Sequence, residues 1–142
     1  CMPDGEGYVT SSVEGRVAVE FFRMDAQVQA NKYAFKCHRK EVDGIDVVYP
    51  IHAIAFHPIY GTFATCGGDA HCALWDPKAK KRIGQYVLPS PVSTAAFSAD
   101  GSVLVIASGA ENLETAGSEA HDVLLHVKYV VDEAKPKSKS DK

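Results

Sequence analysis

Residues 67–86 read GGDAHCALWDPKAKKRIGQY and hold the only tryptophan of the 142-residue chain, Trp75. Trp75 closes a short apolar stretch and is followed at once by an acid and a proline, which favour a turn. Asp69, six residues earlier, marks a second turn. These features predict that the tryptophan lies on a short strand between two turns, with an outer strand over 80–86.

The rest of the chain shows the same short alternation of apolar and polar residues. GRVAVEFF (15–22) and YAFKC (33–37), for example, place apolar side chains at every second position and are followed by turn residues. No segment combines a helical period with capping residues. Strands at this spacing indicate an all-β fold, which is a sandwich, a barrel or a propeller.

An internal repeat favours the propeller. AIAFHPIYGTFATCGG (53–68) matches TAAFSADGSVLVIASG (94–109), so that Phe56 and Phe97 correspond at a spacing of 41 residues. That spacing is typical of one four-stranded propeller blade. Upstream, GYVTSSVEGRVAVEFF (7–22) repeats the second half of the same pattern.

The stretch FATCGGDAHCALWD (63–76) resembles a WD40 repeat. The resemblance implies that Thr65, Asp69 and Trp75 form a hydrogen-bonded chain with a histidine that precedes the blade, which here is His38. The resemblance assigns these four residues a structural role, because their hydrogen bonds hold a blade together, and not a catalytic one. The fold class that follows is all-β, a WD40 β-propeller, of which this chain is the C-terminal part with about three blades or partial blades of an expected seven.

The repeat divides the chain into four expected parts. Residues 1–50 form a partial blade, from its second to its outer strand, and a long loop from Arg39 to Pro50. Residues 51–90 form a complete blade. Residues 91–130 form a last blade that lacks its outer strand, contains a long loop from Gly109 to Ala120, and carries Ile106 where the motif has Ser or Thr. The charged segment 131–142 is expected to be disordered.

Several further stretches together resemble the WD40 mitotic checkpoint proteins of the Bub (budding uninhibited by benzimidazole) group. They are EGRVAVEFF, YAFKCHR, YPIHAIAFHP, GTFATCGGD and WDPKAKKRIGQY, between residues 7 and about 108. Related WD40 mRNA-export factors share EGRVA, FKCHR and AFHP. VAVEFF, Tyr49-Pro50 and WDPKAKKRIGQY favour the checkpoint group.

The resemblance implies an adaptor that has no enzymatic activity and no cofactor. Checkpoint proteins of this group bind GLEBS motifs of checkpoint kinases or pseudokinases and phosphorylated Met-Glu-Leu-Thr motifs of a kinetochore scaffold. The implied location is the nucleus, with the kinetochore in mitosis and also the cytoplasm. The alternative is an mRNA-export factor that binds a nucleoporin GLEBS motif at the nuclear pore.

A phosphopeptide site can be placed on two predicted strands. One antiparallel register sets Arg16 directly opposite Lys36, and like charges in that position are mildly destabilising unless an anion lies between them. The alternative is solvated surface charge beside Glu14 and Glu20. The resemblance matches Arg16 and Lys36 to the phosphothreonine-binding residues of the family, and Arg39 is a nearby candidate for acidic side chains of the peptide.

Composition argues against other classes of function. The formal net charge is -3, so no overall positive field favours nucleic acid, and KAKK (78–81) is interpreted as a solvated turn. No run is long and apolar enough to span a membrane, and the first residues do not resemble a signal peptide. Cys66, His71 and Cys72 cluster in the sequence, but buried reduced thiols explain them better than a metal site.

Overall fold

The computed structural model describes residues 1–109 and 123–136, and within them it is almost entirely β-sheet. The elements are β1 (Gly7–Ser11), β2 (Arg16–Phe21), α1 (Ala26–Gln29), β3 (Tyr33–Lys36), β4 (Arg39–Val42), β5 (Ile45–Val48), β6 (Ile51–Phe56), β7 (Phe63–Gly67), β8 (His71–Asp76), β9 (Lys81–Val87), β10 (Val92–Phe97), β11 (Val103–Ser108) and β12 (Leu124–Tyr129). Every strand pair is antiparallel and joins neighbours in sequence. In the described parts of the chain, no helix is long and apolar enough to cross a membrane.

The central sheet has four strands in the order β6-β7-β8-β9. Strand β7 is buried along its whole length, which its run of small and apolar residues permits. The β8–β9 turn is fixed by Asp76, whose carboxylate accepts hydrogen bonds from the backbone N–H groups of Lys78 and Ala79 at 2.8 and 3.0 Å. This sheet is one complete blade.

Two three-stranded sheets flank the central one in sequence, with the orders β1-β2-β3 and β10-β11-β12. Strands β6 and β10, the first strands of the central and last sheets, each contain a shift in pairing register at the same place. The register shifts between Ile51 and Ala53 in β6 and between Val92 and Thr94 in β10. These positions are 41 residues apart, so the sequence repeat is also a structural repeat. The predicted fold class, part of a WD40 propeller, is confirmed.

Two apolar clusters join each sheet to the next, as in stacked propeller blades. The first and central sheets meet around Val17, Cys37, Ile51 and Phe63. The central and last sheets meet around a larger cluster, which comprises Ala64, Cys66, Cys72, Leu74, Ile83, Leu88, Val92, Leu104, Ile106, Val130 and Ala134. The core of this part of the chain is therefore divided between two inter-sheet layers.

Three features differ from the sequence interpretation. The segment expected to be a long loop contains a hairpin, β4–β5, and α1 adds one helical turn. Residues 131–136, which were expected to be disordered, form a turn: the Thr62 hydroxyl donates to the Ala134 carbonyl at 2.8 Å, and Ala134 is fully buried. Residues 110–120 of the expected long loop and residues 137–142 of the tail that is expected to be disordered lie outside the described residues.

The contact between the central and last sheets includes a buried histidine. His57 is 2% exposed, its ring stacks on Tyr60, and its Nδ1 accepts the backbone N–H groups of Ile59 and Tyr60 at 3.2 and 3.1 Å. Gly101 packs directly on the ring, and any Cβ at that position would overlap it. Burial lowers the pKa of His57, although a hydrogen bond with the Gly101 backbone partly opposes this.

We predict that acidification destabilises the protein through His57. Because the folded-state pKa lies below that of the unfolded chain, protonation favours unfolding as the pH falls below about 6.5. Thermal melts near pH 7.5 and pH 5.5 should show a larger decrease for wild type than for His57→Asn, which keeps an acceptor but does not titrate. Equal decreases for the two proteins would contradict the prediction.

Candidate functional site

The structure brings together the four residues of the WD40 motif. His38 Nδ1 lies 2.8 Å from Asp69 Oδ1, and His38 Nε2 lies 2.8 Å from the Thr65 hydroxyl. The Trp75 indole N–H donates to the same hydroxyl at 2.9 Å. His38 adopts a positive φ of 48°, and its ring lies so close to Gly67 that a Cβ there would approach Nδ1 to 2.6 Å. The side chains therefore link two successive sheets.

The direction of these hydrogen bonds follows from the two side chains at the ends of the hydrogen-bonded series, Asp69 and Trp75. The Asp69 carboxylate only accepts and the Trp75 indole only donates. Nδ1 of His38 therefore carries a proton and donates to Asp69, while the Thr65 hydroxyl accepts from the Trp75 indole and is hydrogen-bonded to Nε2 of His38. Both ring nitrogens of His38, the Thr65 hydroxyl and the Trp75 indole N–H thus have partners.

The electrostatics of Asp69 support a structural role. Burial alone would raise the pKa of this carboxyl, but the hydrogen bond and charge of His38, with a contribution from His71, lower it overall. Asp69 also accepts the backbone N–H of His71 at 3.2 Å, which closes the β7–β8 turn. A carboxylate with a lowered pKa, whose Oδ1 accepts two hydrogen bonds, holds this turn and is not poised to take up a proton.

Among the described residues of the last sheet, the positions equivalent to Thr65 and Trp75 do not repeat the motif. Ile106 is fully buried at the position equivalent to Thr65. Phe63 pairs with Trp75 in the central sheet, whereas its counterpart Leu104 pairs with Lys128. A lysine therefore occupies the register position of the tryptophan, and apolar packing takes the place of the hydrogen-bonded chain.

The two basic residues of the predicted phosphopeptide site face each other across β2 and β3. The register pairs Arg16 with Lys36, as the sequence predicts, and the next pair on the same face is Ala18 with Ala34. Arg16 is about half exposed and lies 3.9 Å from a single carboxylate, that of Glu14. It lines a depression of about 430 Å³ that Ala18 and Ala34 also line.

The third predicted residue has a different environment. The guanidinium of Arg39 forms an ion pair with Asp46 and donates to the Glu14 carbonyl at 3.1 Å. Its side chain is 20% exposed. The charge of Arg39 is therefore already balanced within the chain, by the β4–β5 hairpin that the sequence interpretation treated as a loop.

Three of the four cysteines are buried and pack as apolar side chains. Cys66 and Cys72 are paired across β7 and β8, and both are fully buried and reduced. Hydrogen bonding with Cys72 and burial raise the pKa of the Cys66 thiol, and burial raises that of Cys37 to about 12. Within residues 1–109 and 123–136, no group of three or more His, Cys, Asp or Glu side chains is arranged to hold a metal ion.

The sequence interpretation missed a basic groove between the first and central sheets. It runs between β3 and the β8–β9 hairpin and contains two cavities, of about 660 and 260 Å³. We call it the inter-sheet groove. Its basic residues are Lys36, Arg39, Lys40, Lys80, Lys81 and Arg82. The basic stretch KAKK (78–81) was the sequence signal for this groove. The other basic residues that line the groove with its lysines become apparent only when the two sheets are placed side by side.

Sheets that repeat every 41 residues and the His–Asp–Thr–Trp chain together define a WD-repeat protein of the propeller class. No protein-family model matches the chain. It is 49% identical to mitotic checkpoint protein BUB3.1 of Arabidopsis thaliana over 98% of this chain and 41% of that protein. It is 42% identical to the spindle assembly checkpoint protein bub3 of Schizosaccharomyces pombe over 83% of this chain and 37% of that protein.

Lower similarity extends to export factors. The chain is 32% identical to mRNA export factor GLE2 of Chaetomium thermophilum over 75% of this chain and 30% of that protein. The chain is thus a homologue of the Bub3 mitotic checkpoint proteins and, at lower identity, of the Gle2 export factors. It spans less than half the length of each of these relatives.

Proposed function

We propose that this chain supplies the phosphopeptide-binding sheet of a non-enzymatic adaptor of the mitotic spindle checkpoint. The adaptor binds phosphorylated Met-Glu-Leu-Thr motifs of a kinetochore scaffold and GLEBS motifs of checkpoint kinases or pseudokinases, and it acts in the nucleus and at kinetochores. The higher identity to relatives named as checkpoint proteins supports this proposal over mRNA export. None of these relatives is named for an enzymatic activity.

The observation that carries the proposal is the direct pairing of Arg16 and Lys36. Two cations opposite each other in a sheet repel, at a cost of a few tenths of a kcal/mol to about 1 kcal/mol. A phosphate removes that repulsion, because it carries a charge of about -1.5 to -2 and offers three strong acceptor oxygens. Ala18 and Ala34 are the small neighbours on the same face, and they leave room beside Arg16.

The proposal predicts binding that depends on phosphorylation. Isothermal titration of the full-length protein should show a phosphorylated Met-Glu-Leu-Thr peptide binding more than tenfold tighter than the unphosphorylated peptide, because charge-assisted hydrogen bonds each contribute about 1.5–3 kcal/mol. A GLEBS peptide from a checkpoint kinase should bind without phosphorylation.

The same titrations distinguish the alternative function. If the protein binds neither Met-Glu-Leu-Thr peptide but binds a GLEBS segment of a nucleoporin, the export function is correct. If phosphorylation changes the affinity by less than twofold, Arg16 and Lys36 do not form a phosphate site.

A further inference from the structure

The inter-sheet groove has both of its walls within this part of the chain. One wall is β3 and the segment that follows it, including Lys40 and Tyr49, and the other is the β8–β9 hairpin with Trp75 and Arg82. Lys36 contributes to both cavities of the groove and also stands opposite Arg16. Lys36 therefore borders both the groove and the sheet face that carries Arg16.

The charges of the groove are not balanced within the described residues. Among the ion pairs there, only that of Arg39 with Asp46 involves a basic residue of the groove. The two acids that line it are already satisfied: Asp69 accepts from His38 and from a backbone N–H, and Asp76 accepts the two N–H groups of its own turn. A ligand with negative charges would thus meet uncompensated cations along the groove.

The aromatic side chains of the groove favour a peptide over a single-stranded nucleic acid. Nucleic-acid grooves use free aromatic faces on which bases stack. Here Phe35 lies 4.5 Å from Trp75 between ring centroids and is stacked with Tyr33, whose ring lies 4.8 Å from the ammonium of Lys80. Three of the four Tyr, Phe and Trp rings that line the groove are therefore occupied by one another or by a lysine, whereas the exposed cations remain available for carboxylates.

We propose that the inter-sheet groove binds an acidic segment that flanks the phosphothreonine of the bound peptide. This inference rests on the proposed function, because Lys36 joins the phosphate site to the groove. The phosphate fixes the peptide beside Lys36, and glutamate or aspartate side chains on one side of it then pair with Lys40, Lys81 and Arg82. The groove thereby selects among phosphorylated motifs by the charge of their neighbouring residues.

The test uses the full-length protein and three phosphorylated Met-Glu-Leu-Thr peptides. One carries a run of glutamates before the motif, one carries it after the motif, and one carries glutamines on both sides. Because exposed ion pairs contribute modestly, one of the two glutamate peptides should bind about fivefold tighter than the glutamine peptide at low salt. The preference should decrease at high ionic strength, where exposed charges are screened.

A triple variant, Lys40→Ala, Lys81→Ala and Arg82→Ala, should lose this preference and keep its dependence on phosphorylation. The matched control, Arg23→Ala, Lys78→Ala and Lys135→Ala, removes the same net charge outside the groove and should keep both. Melting temperatures establish that both variants are folded.

Each result has a distinct meaning. Equal binding of all three peptides to wild type, or an unchanged preference in the triple variant, overturns the inference. A preference for glutamate that persists without any effect of phosphorylation supports the groove and contradicts the proposed function. A uridine oligonucleotide that displaces the glutamate peptide from wild type, but does not bind the triple variant, assigns the groove to nucleic acid instead.

Discussion

Asp69→Ala should lower the free energy of unfolding by about 1–3 kcal/mol. The substitution removes the acceptor of the Nδ1–H of His38, whose side chain is buried, and of the backbone N–H of His71, which is partly buried. A buried donor without a partner loses its hydration on folding and regains nothing, which explains a cost larger than that of an average hydrogen bond. The ring of His38 is also no longer held by Asp69 in its position beside Thr65.

Chemical denaturation of the full-length protein measures this effect, and Asp100→Ala is a matched control. Asp100 also accepts hydrogen bonds in a turn, from the hydroxyls of Ser98 and Ser102 and from the Ser102 backbone, but it is exposed. Water can replace those hydrogen bonds, so Asp100→Ala should lower the free energy of unfolding clearly less than Asp69→Ala does. Asp69→Asn, which retains one acceptor oxygen, should fall between the two. Equal losses for Asp69→Ala and Asp100→Ala would show that the hydrogen-bonded chain does not stabilise the blade.

The sequence predicts the hydrogen bonds among His38, Thr65, Asp69 and Trp75 because three of these four residues lie within one hairpin. Thr65, Asp69 and Trp75 belong to β7, the following turn and β8, so their relative positions depend on a short loop and a fixed two-residue period. The 41-residue repeat then places the neighbouring strands. Local geometry of this kind can be read from a single sequence.

The β4–β5 hairpin also had a local signal, but the sequence interpretation did not use it. Asp43 and Gly44 both adopt positive φ, 51° and 78°, as the central residues of a tight hairpin turn do. An Asp-Gly pair between alternating residues is typical of such a turn. The hairpin register places Asp46 opposite Glu41 and diagonal to Arg39 on the same face, where its carboxylate forms the internal ion pair with the guanidinium of Arg39.

Two other features depend on contacts between distant parts of the chain. Ala134 is buried because Thr62, 72 residues away, bonds to its carbonyl, and a charged composition gives no sign of that contact. The inter-sheet groove likewise exists only because β3 of one sheet lies beside the β8–β9 hairpin of the next. No property of either segment alone predicts the groove.

Replacement of both Arg16 and Lys36 by alanine should weaken binding of the phosphorylated Met-Glu-Leu-Thr peptide more than tenfold. The phosphate loses a possible bidentate guanidinium contact and an ammonium contact, and charge-assisted hydrogen bonds contribute about 1.5–3 kcal/mol each. Removing the two cations also removes their mutual repulsion, so the variant should fold as well as wild type. Titration of the full-length protein with phosphorylated and unphosphorylated peptides separates loss of phosphate recognition from loss of the fold.

Lys32→Ala is the control for loss of a single nearby positive charge. Lys32 lies beside the same sheet but already forms an ion pair with Glu20 at 2.7 Å, so its loss should leave phosphopeptide affinity nearly unchanged. Arg16→Lys should keep the charge and lose the bidentate geometry, and its affinity should lie between those of wild type and the double variant. GLEBS binding should change little in any of these proteins, because it does not require a phosphate. If the double variant distinguishes the two Met-Glu-Leu-Thr peptides as well as wild type does, the phosphate is bound by other residues, and the pairing of Arg16 with Lys36 is an ordinary feature of a solvated sheet.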